Sequence, residues 1–170
     1  RGARLHRVLR LPPGAAHGPI LAGSRPPGSS VSQLNGPCGV AALPDGGFLV
    51  ADTENHRVLH FEPGAAEGKM VAGTGEEGPS LSQLNRPFGV AALPDGGFLV
   101  ADMEKHRVLH FEPGAAEGKM VAGTGQDGSS LSHLNCPRGR AGVLEGGSVD
   151  LGGGRLNQRR PVPATTLPSA

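Results

Sequence analysis

Residues Pro37 to Gly75 recur fifty positions later as Pro87 to Gly125 with three substitutions, Cys38/Phe88, Thr53/Met103 and Asn55/Lys105. Self-similarity at a period of roughly 20 to 50 residues marks a repeat array, in which each unit is one supersecondary module that buries its apolar faces against its neighbours. The period reaches beyond the two clean copies. His6-Arg7-Val8-Leu9 matches His56-Arg57-Val58-Leu59, and Leu134-Asn135-Cys136-Pro137 matches Leu34-Asn35-Gly36-Pro37. The pattern then decays, with Gly152 where Asp52 and Asp102 stand in the copies. This reading divides the chain into a half unit with its link (1–36), two full units (37–86 and 87–136), a degenerate partial unit (137–159) and a disordered tail (160–170). Two units and two halves fall short of a closed ring, so the expectation is an open arc, completed by a longer chain or by self-assembly.

With 29 Gly and 16 Pro in 170 residues, the composition suits short strands and turns, and no helix is required. Within one unit, Val40 to Leu43 reads as a short apolar strand, Pro44-Asp45-Gly46-Gly47 as a hairpin turn, and Phe48 to Asp52 as the returning strand. Arg57 to Glu62 and Lys69 to Ala72 supply the third and fourth strands. The first two strands are apolar on both faces, as a sheet sandwiched between two others must be. The expected fold is therefore all-β, a partial β-propeller of four-stranded antiparallel blades.

The formal net charge of +1 is too small to indicate nucleic-acid binding. No apolar run is long enough to span a bilayer, and the compartment is not legible. The two cysteines, Cys38 and Cys136, occupy different repeat positions, and neither has the near neighbour that a zinc knuckle or redox pair needs.

Pro37-Cys38-Gly39-Val40-Ala41, Asp45-Gly46-Gly47-Phe48-Leu49-Val50-Ala51-Asp52 and Asn55-His56-Arg57-Val58 resemble the NHL repeat, named for its Asn-His-Leu signature. The second copy departs from it with Lys105 in the Asn place. The resemblance implies one propeller blade per repeat and a platform for proteins or RNA. It also implies two alternatives, the substrate-recognition arm of a ubiquitin ligase and a fragment of a zinc-dependent peptidyl-hydroxyglycine lyase. The paired C-x-x-C spacings of ligase zinc modules are missing from the sequence. The lyases rely on tyrosine and on histidines at distinct positions, whereas this chain has no Tyr or Trp and repeats its histidines.

Other motifs have plainer readings. Gly73-Thr74-Gly75-Glu76-Glu77-Gly78 fits G-x-G-x-x-G, but no helix follows it and its glutamates would repel a pyrophosphate, so it reads as an interblade loop. His56 and His60 have the spacing of a helical zinc pair, yet on a strand four residues span about 13 Å, too far for one metal. Asp52, His56 and Arg57 recur as Asp102, His106 and Arg107, which suggests scaffold positions needed by every blade. The carboxylate is expected to brace the turn that follows it, through that turn's backbone amides or the Arg fork.

The remaining differences between copies concentrate on the rim formed by the second-to-third strand turn and the interblade link. Arg86, Phe88, Met103, Lys105 and Arg138 are the contact candidates there, since Arg and aromatic residues commonly anchor interfaces. The opposite rim, Leu43 to Gly47 and Glu62 to Lys69, is identical to its copy. The resulting expectation is a non-catalytic scaffold that binds a protein partner, with RNA disfavoured and no metal or cofactor required.

Overall fold

Every position of the strand Phe48–Asp52 is buried, and its alternation sorts the side chains between two cores. The computed structural model describes residues 6–126. In it, Phe48 and Val50 join Leu59 and Phe61 in a cluster shared with Ala22 and Leu34 of the preceding segment. Leu49 and Ala51 join Val58 in a second cluster shared with Val90, Phe98, Val100, Leu109 and Phe111 of the following sheet. Because side chains alternate across a strand, a sheet with apolar residues at consecutive positions has two faces to cover, and here both are covered.

Among the described residues, ten strands make up three antiparallel sheets: β1 (Val8–Leu9), β2 (Ile20–Ala22), β3 (Gly39–Ala42), β4 (Phe48–Asp52), β5 (Arg57–Phe61), β6 (Lys69–Gly73), β7 (Pro87–Ala92), β8 (Phe98–Asp102), β9 (Arg107–Phe111) and β10 (Lys119–Gly123). The order is β3-β4-β5-β6 in one four-stranded sheet and β7-β8-β9-β10 in the other, with β1-β2 as a two-stranded sheet before them. This all-β arrangement of four-stranded antiparallel sheets is that of propeller blades. The first and third strands run slightly differently from expectation: β3 starts at Gly39 and stops at Ala42, and β5 ends at Phe61.

Local chemistry explains the hairpins. Leu43 N–H donates to Gly47 O at 2.8 Å, Gly46 N–H donates to Leu43 O at 3.1 Å, and Asp45 Oδ1 accepts from Gly47 N–H at 2.9 Å. Gly46 takes φ of 87°, a conformation that costs a residue with a Cβ. The resulting register places Phe48 opposite Phe61 and Asp52 opposite Arg57, and the second sheet repeats it with Phe98 opposite Phe111 and Asp102 opposite Arg107. The paired rings stack, with centroids 5.2 Å apart in the first sheet and 5.3 Å in the second.

The second-to-third strand connection differs from a simple turn. Thr53–Asn55 and Met103–Lys105 each form a short 3-10 helix, closed by His56 and His106 in the left-handed conformation at φ of 51° and 49°. A one-turn helix reverses the chain while keeping Asp52 and Arg57 opposite each other. Composition did not announce it, because a single 3-10 turn needs no helical periodicity.

The two blades approach most closely at their first strands. A Cβ on Gly39 would lie 2.7 Å from Phe88 O and 3.0 Å from Gly89 Cα, so glycine lets β3 and β7 meet backbone to backbone.

Candidate functional site

Asp52 is fully buried, and its carboxylate has a defined set of donors. Oδ1 accepts the Asn35 N–H at 2.7 Å, while Oδ2 accepts Asn55 Nδ2 and Arg57 Nε, both at 2.8 Å. Arg57 then turns its remaining donors onto backbone carbonyls of the link that precedes the blade: Ser29 O at 2.7 Å, Ser30 O at 2.8 Å and Gln33 O at 3.2 Å. The second copy repeats the design. Asp102 accepts Asn85 N–H at 2.7 Å and Arg107 Nε at 2.7 Å, and Arg107 reaches Pro79 O, Ser80 O and Gln83 O at 2.8–2.9 Å.

Asp52 does meet the Arg57 fork and the Asn55 side-chain amide of the turn, and only the backbone-amide part of the expected brace is corrected. The backbone amide that Asp52 accepts belongs to Asn35 in the link, seventeen residues earlier, and not to the turn between Asp52 and Arg57. The turn instead donates Glu54 N–H to Asn35 O at 3.1 Å, so link and turn clasp each other. A buried Arg in fork geometry can satisfy several carbonyls that would otherwise be orphaned away from water. Burial raises the Asp102 pKa, and the Asn85 amide and Arg107 only partly offset it.

The histidines have backbone work of the same kind. His6 Nδ1 accepts Gly36 N–H at 2.9 Å, and His56 Nδ1 accepts Arg86 N–H at 3.2 Å. His106 holds the equivalent left-handed position. The link is therefore bonded forward through Asn35 or Asn85 and backward through the next residue. His60 lies on β5, apart from His56, and its Nε2 is buried without a hydrogen-bond partner. Among the described residues, no three His, Cys, Asp or Glu side chains gather as a metal set.

The rim candidates separate on inspection. Arg86 sits at φ of 52° and its Nη2 meets Glu54 Oε1 at 2.5 Å, joining the link to the turn of the preceding blade. That hydrogen bond, then the Glu54 charge, raises the Arg86 pKa above its ordinary value. Its side chain keeps 40% of its surface exposed. Phe88 and Lys105 are half-buried. Met103 is 7% exposed, which withdraws it from the open rim where it was expected. The reason lies in the 3-10 turn, whose first residue tucks inward: at the equivalent position Thr53 is buried and its Oγ1 donates to Pro87 O at 2.8 Å, in the next blade. Arg138 and Cys136 fall outside the described residues. Cys38 is an exposed free thiol.

The link was under-read at the sequence level. Leu34 and Leu84 are completely buried, and the carbonyls around them receive the arginines. The available signal was the identity of Leu-Asn in both links while the next residue varied.

With this geometry in place, the comparison with known families falls on the same segments. The model of the NHL repeat matches residues 34–61 and 84–111, each beginning at the buried link leucine and ending at the stacked phenylalanine of the third strand. The chain carries two NHL repeats. NHL repeats are generally β-propeller repeats that mediate protein interaction, and they are typically non-catalytic scaffolds. No curated protein matches the chain. Among the described residues of this NHL-repeat chain, no helix is long and apolar enough to cross a membrane.

Proposed function

We propose that this chain is a non-catalytic scaffold whose NHL blades present a rim to a protein partner, with Arg86, Phe88 and Lys105 as its contacts and Arg138 extending the series. One observation carries the reading. The residues that resemble catalytic machinery, Asp52, His56 and Arg57, are spent on backbone amides and carbonyls, and the Asp102–Arg107 pair does the same in the second copy. A carboxylate and guanidinium held on the protein's own backbone are not poised to act on a substrate. What distinguishes the repeats is then the surface around the link and the 3-10 turn, where the copies carry different side chains.

The test compares two sets of alanine variants of the full chain in affinity capture with quantitative mass spectrometry. Arg86→Ala, Phe88→Ala and Lys105→Ala should lose a common partner that Glu62→Ala and Glu67→Ala retain. Equal loss from both sets, or from neither, removes the assignment to this rim.

A further inference from the structure

The opposite rim, where the copies are identical, holds an apolar opening. A cleft of about 580 Å³ lies between the outer parts of the two blades. Leu43, Met70 and Val71 line it from the first blade, and Phe98, Pro113 and Ala116 from the second. Met70 is 45% exposed, which is high for a methionine with no partner on its outer side. A second cleft of about 440 Å³ repeats the design one unit earlier, with Ile20, Leu21, Phe48 and Ala66 at the places of Met70, Val71, Phe98 and Ala116. Blades that pack tightly through their inner strands diverge outward, so the repeat builds such a notch at each junction.

Carboxylates outnumber cations around these notches in the two full blades. The loops that form their walls carry Asp45, Glu62 and Glu67 in the first blade and Asp95, Glu112 and Glu117 in the second, all exposed, against Lys69 and Lys119 alone. Lys119 is already engaged by Glu112 at 2.5 Å. An apolar notch ringed by carboxylates selects a bulky apolar side chain flanked by cations and repels nucleic acid and acidic segments.

We infer that this identical rim is a second docking surface, for an extended protein segment that seats apolar side chains in the interblade clefts and sets Lys or Arg residues against the surrounding carboxylates. The site is separate from the rim that differs between copies, and it stands or falls independently of that assignment. Methionine in the wall suits such a role, because its flexible thioether adapts to anchors of different shape.

The probe is a fluorescein-labelled peptide, Lys-Arg-Leu-Phe-Arg-Lys, titrated with the full chain by anisotropy at low and moderate salt. Saturable binding is expected, weakened by salt as screening shortens the reach of the carboxylates. Ala116→Trp, which fills the notch, and Glu117→Lys, which reverses charge at an exposed position, should each weaken binding at least tenfold. Arg86→Ala and Lys105→Ala should leave it unchanged. Replacing Leu-Phe by Ser-Ser, or the four cations by Glu, should abolish it. The two chain variants act by different means, and circular dichroism reports whether each keeps its strands. Absence of saturable binding, equal binding by wild type and both folded variants, or full binding by the Ser-Ser peptide overturns the proposal. Loss confined to Arg86→Ala and Lys105→Ala would place the peptide on the other rim and overturn it as well.

Discussion

Arg57 Nε donates to Asp52 Oδ2 at 2.8 Å across a buried turn, and the same arginine closes its other donors on the carbonyls of Ser29, Ser30 and Gln33. One side chain thereby fastens a blade to the link that leads into it. Arg107 does the same for the second blade through Asp102 and the carbonyls of Pro79, Ser80 and Gln83.

Removing Arg57 strands a buried carboxylate and three carbonyls at once. Arg57→Ala should cost about 3–5 kcal/mol, the range for breaking one side of a buried ion pair. Arg57→Lys should recover little, because a single ammonium cannot satisfy carbonyls and carboxylate in fork geometry. Urea unfolding of the two variants against wild type checks this, and a lysine variant of near-native stability would show that charge alone matters.

The close approach of β3 to β7 makes a different demand. Gly39→Ala should destabilise the chain by about 1–3 kcal/mol, since the new methyl meets backbone atoms that cannot move without parting the blades. Gly64→Ala is the comparison. Its added carbon meets nothing within 4 Å, and its φ of 76° imposes only a local conformational cost of about 1 kcal/mol. Thermal melts that rank Gly64→Ala as the more damaging would contradict the backbone contact.

Asn55 Nδ2 bonds both Gly28 O at 2.9 Å and Asp52 Oδ2 at 2.8 Å, while the second blade has Lys105 in that place. Lys105→Asn should add about 0.5–1.5 kcal/mol of stability by restoring these bonds at Gly78 and Asp102. The melting temperature should rise by about 2–4 °C. A fall would mean that the lysine's charge beside Asp102 outweighs the lost hydrogen bonds.

Burial raises Asp102 above the ordinary value of 3.8, so the folded chain binds that proton more tightly than the unfolded one. The stability from this group is fully present below the unfolded value of about 3.9 and is lost as pH climbs through the folded pKa. Carbon-detected NMR should place the Asp102 carboxyl midpoint above 3.8. Asp102→Asn should remove the corresponding slope from stability measured against pH. A midpoint below the unfolded value would reverse the sign.

Much of the blade was readable because its determinants are local. Pro-Asp-Gly-Gly specifies a turn through backbone conformation, and apolar residues on both faces of Phe48 to Asp52 specify a sandwiched strand, so β4 and β8 appear where the pattern places them. The 3-10 turn escaped notice because Thr53-Glu54-Asn55 and Met103-Glu104-Lys105 share no distinctive chemistry. Met103 was misplaced for a related reason: a variable residue in a turn resembles a surface residue until its neighbours in the next unit are known. The Asp52–Arg57 pair was legible as a pair, but its target was not, because the link carbonyls lie 24 to 28 residues away from Arg57.

The order of strands, the fifty-residue period and the kinship with NHL repeats are all present in the linear chain, since turns and strand alternation act between near neighbours. Which polar groups are consumed inside the scaffold, which turn residue is hidden, and where apolar notches open between blades emerged only from three-dimensional packing. Those properties depend on which distant surfaces come together, and side chains identical in chemistry meet different fates according to what covers them.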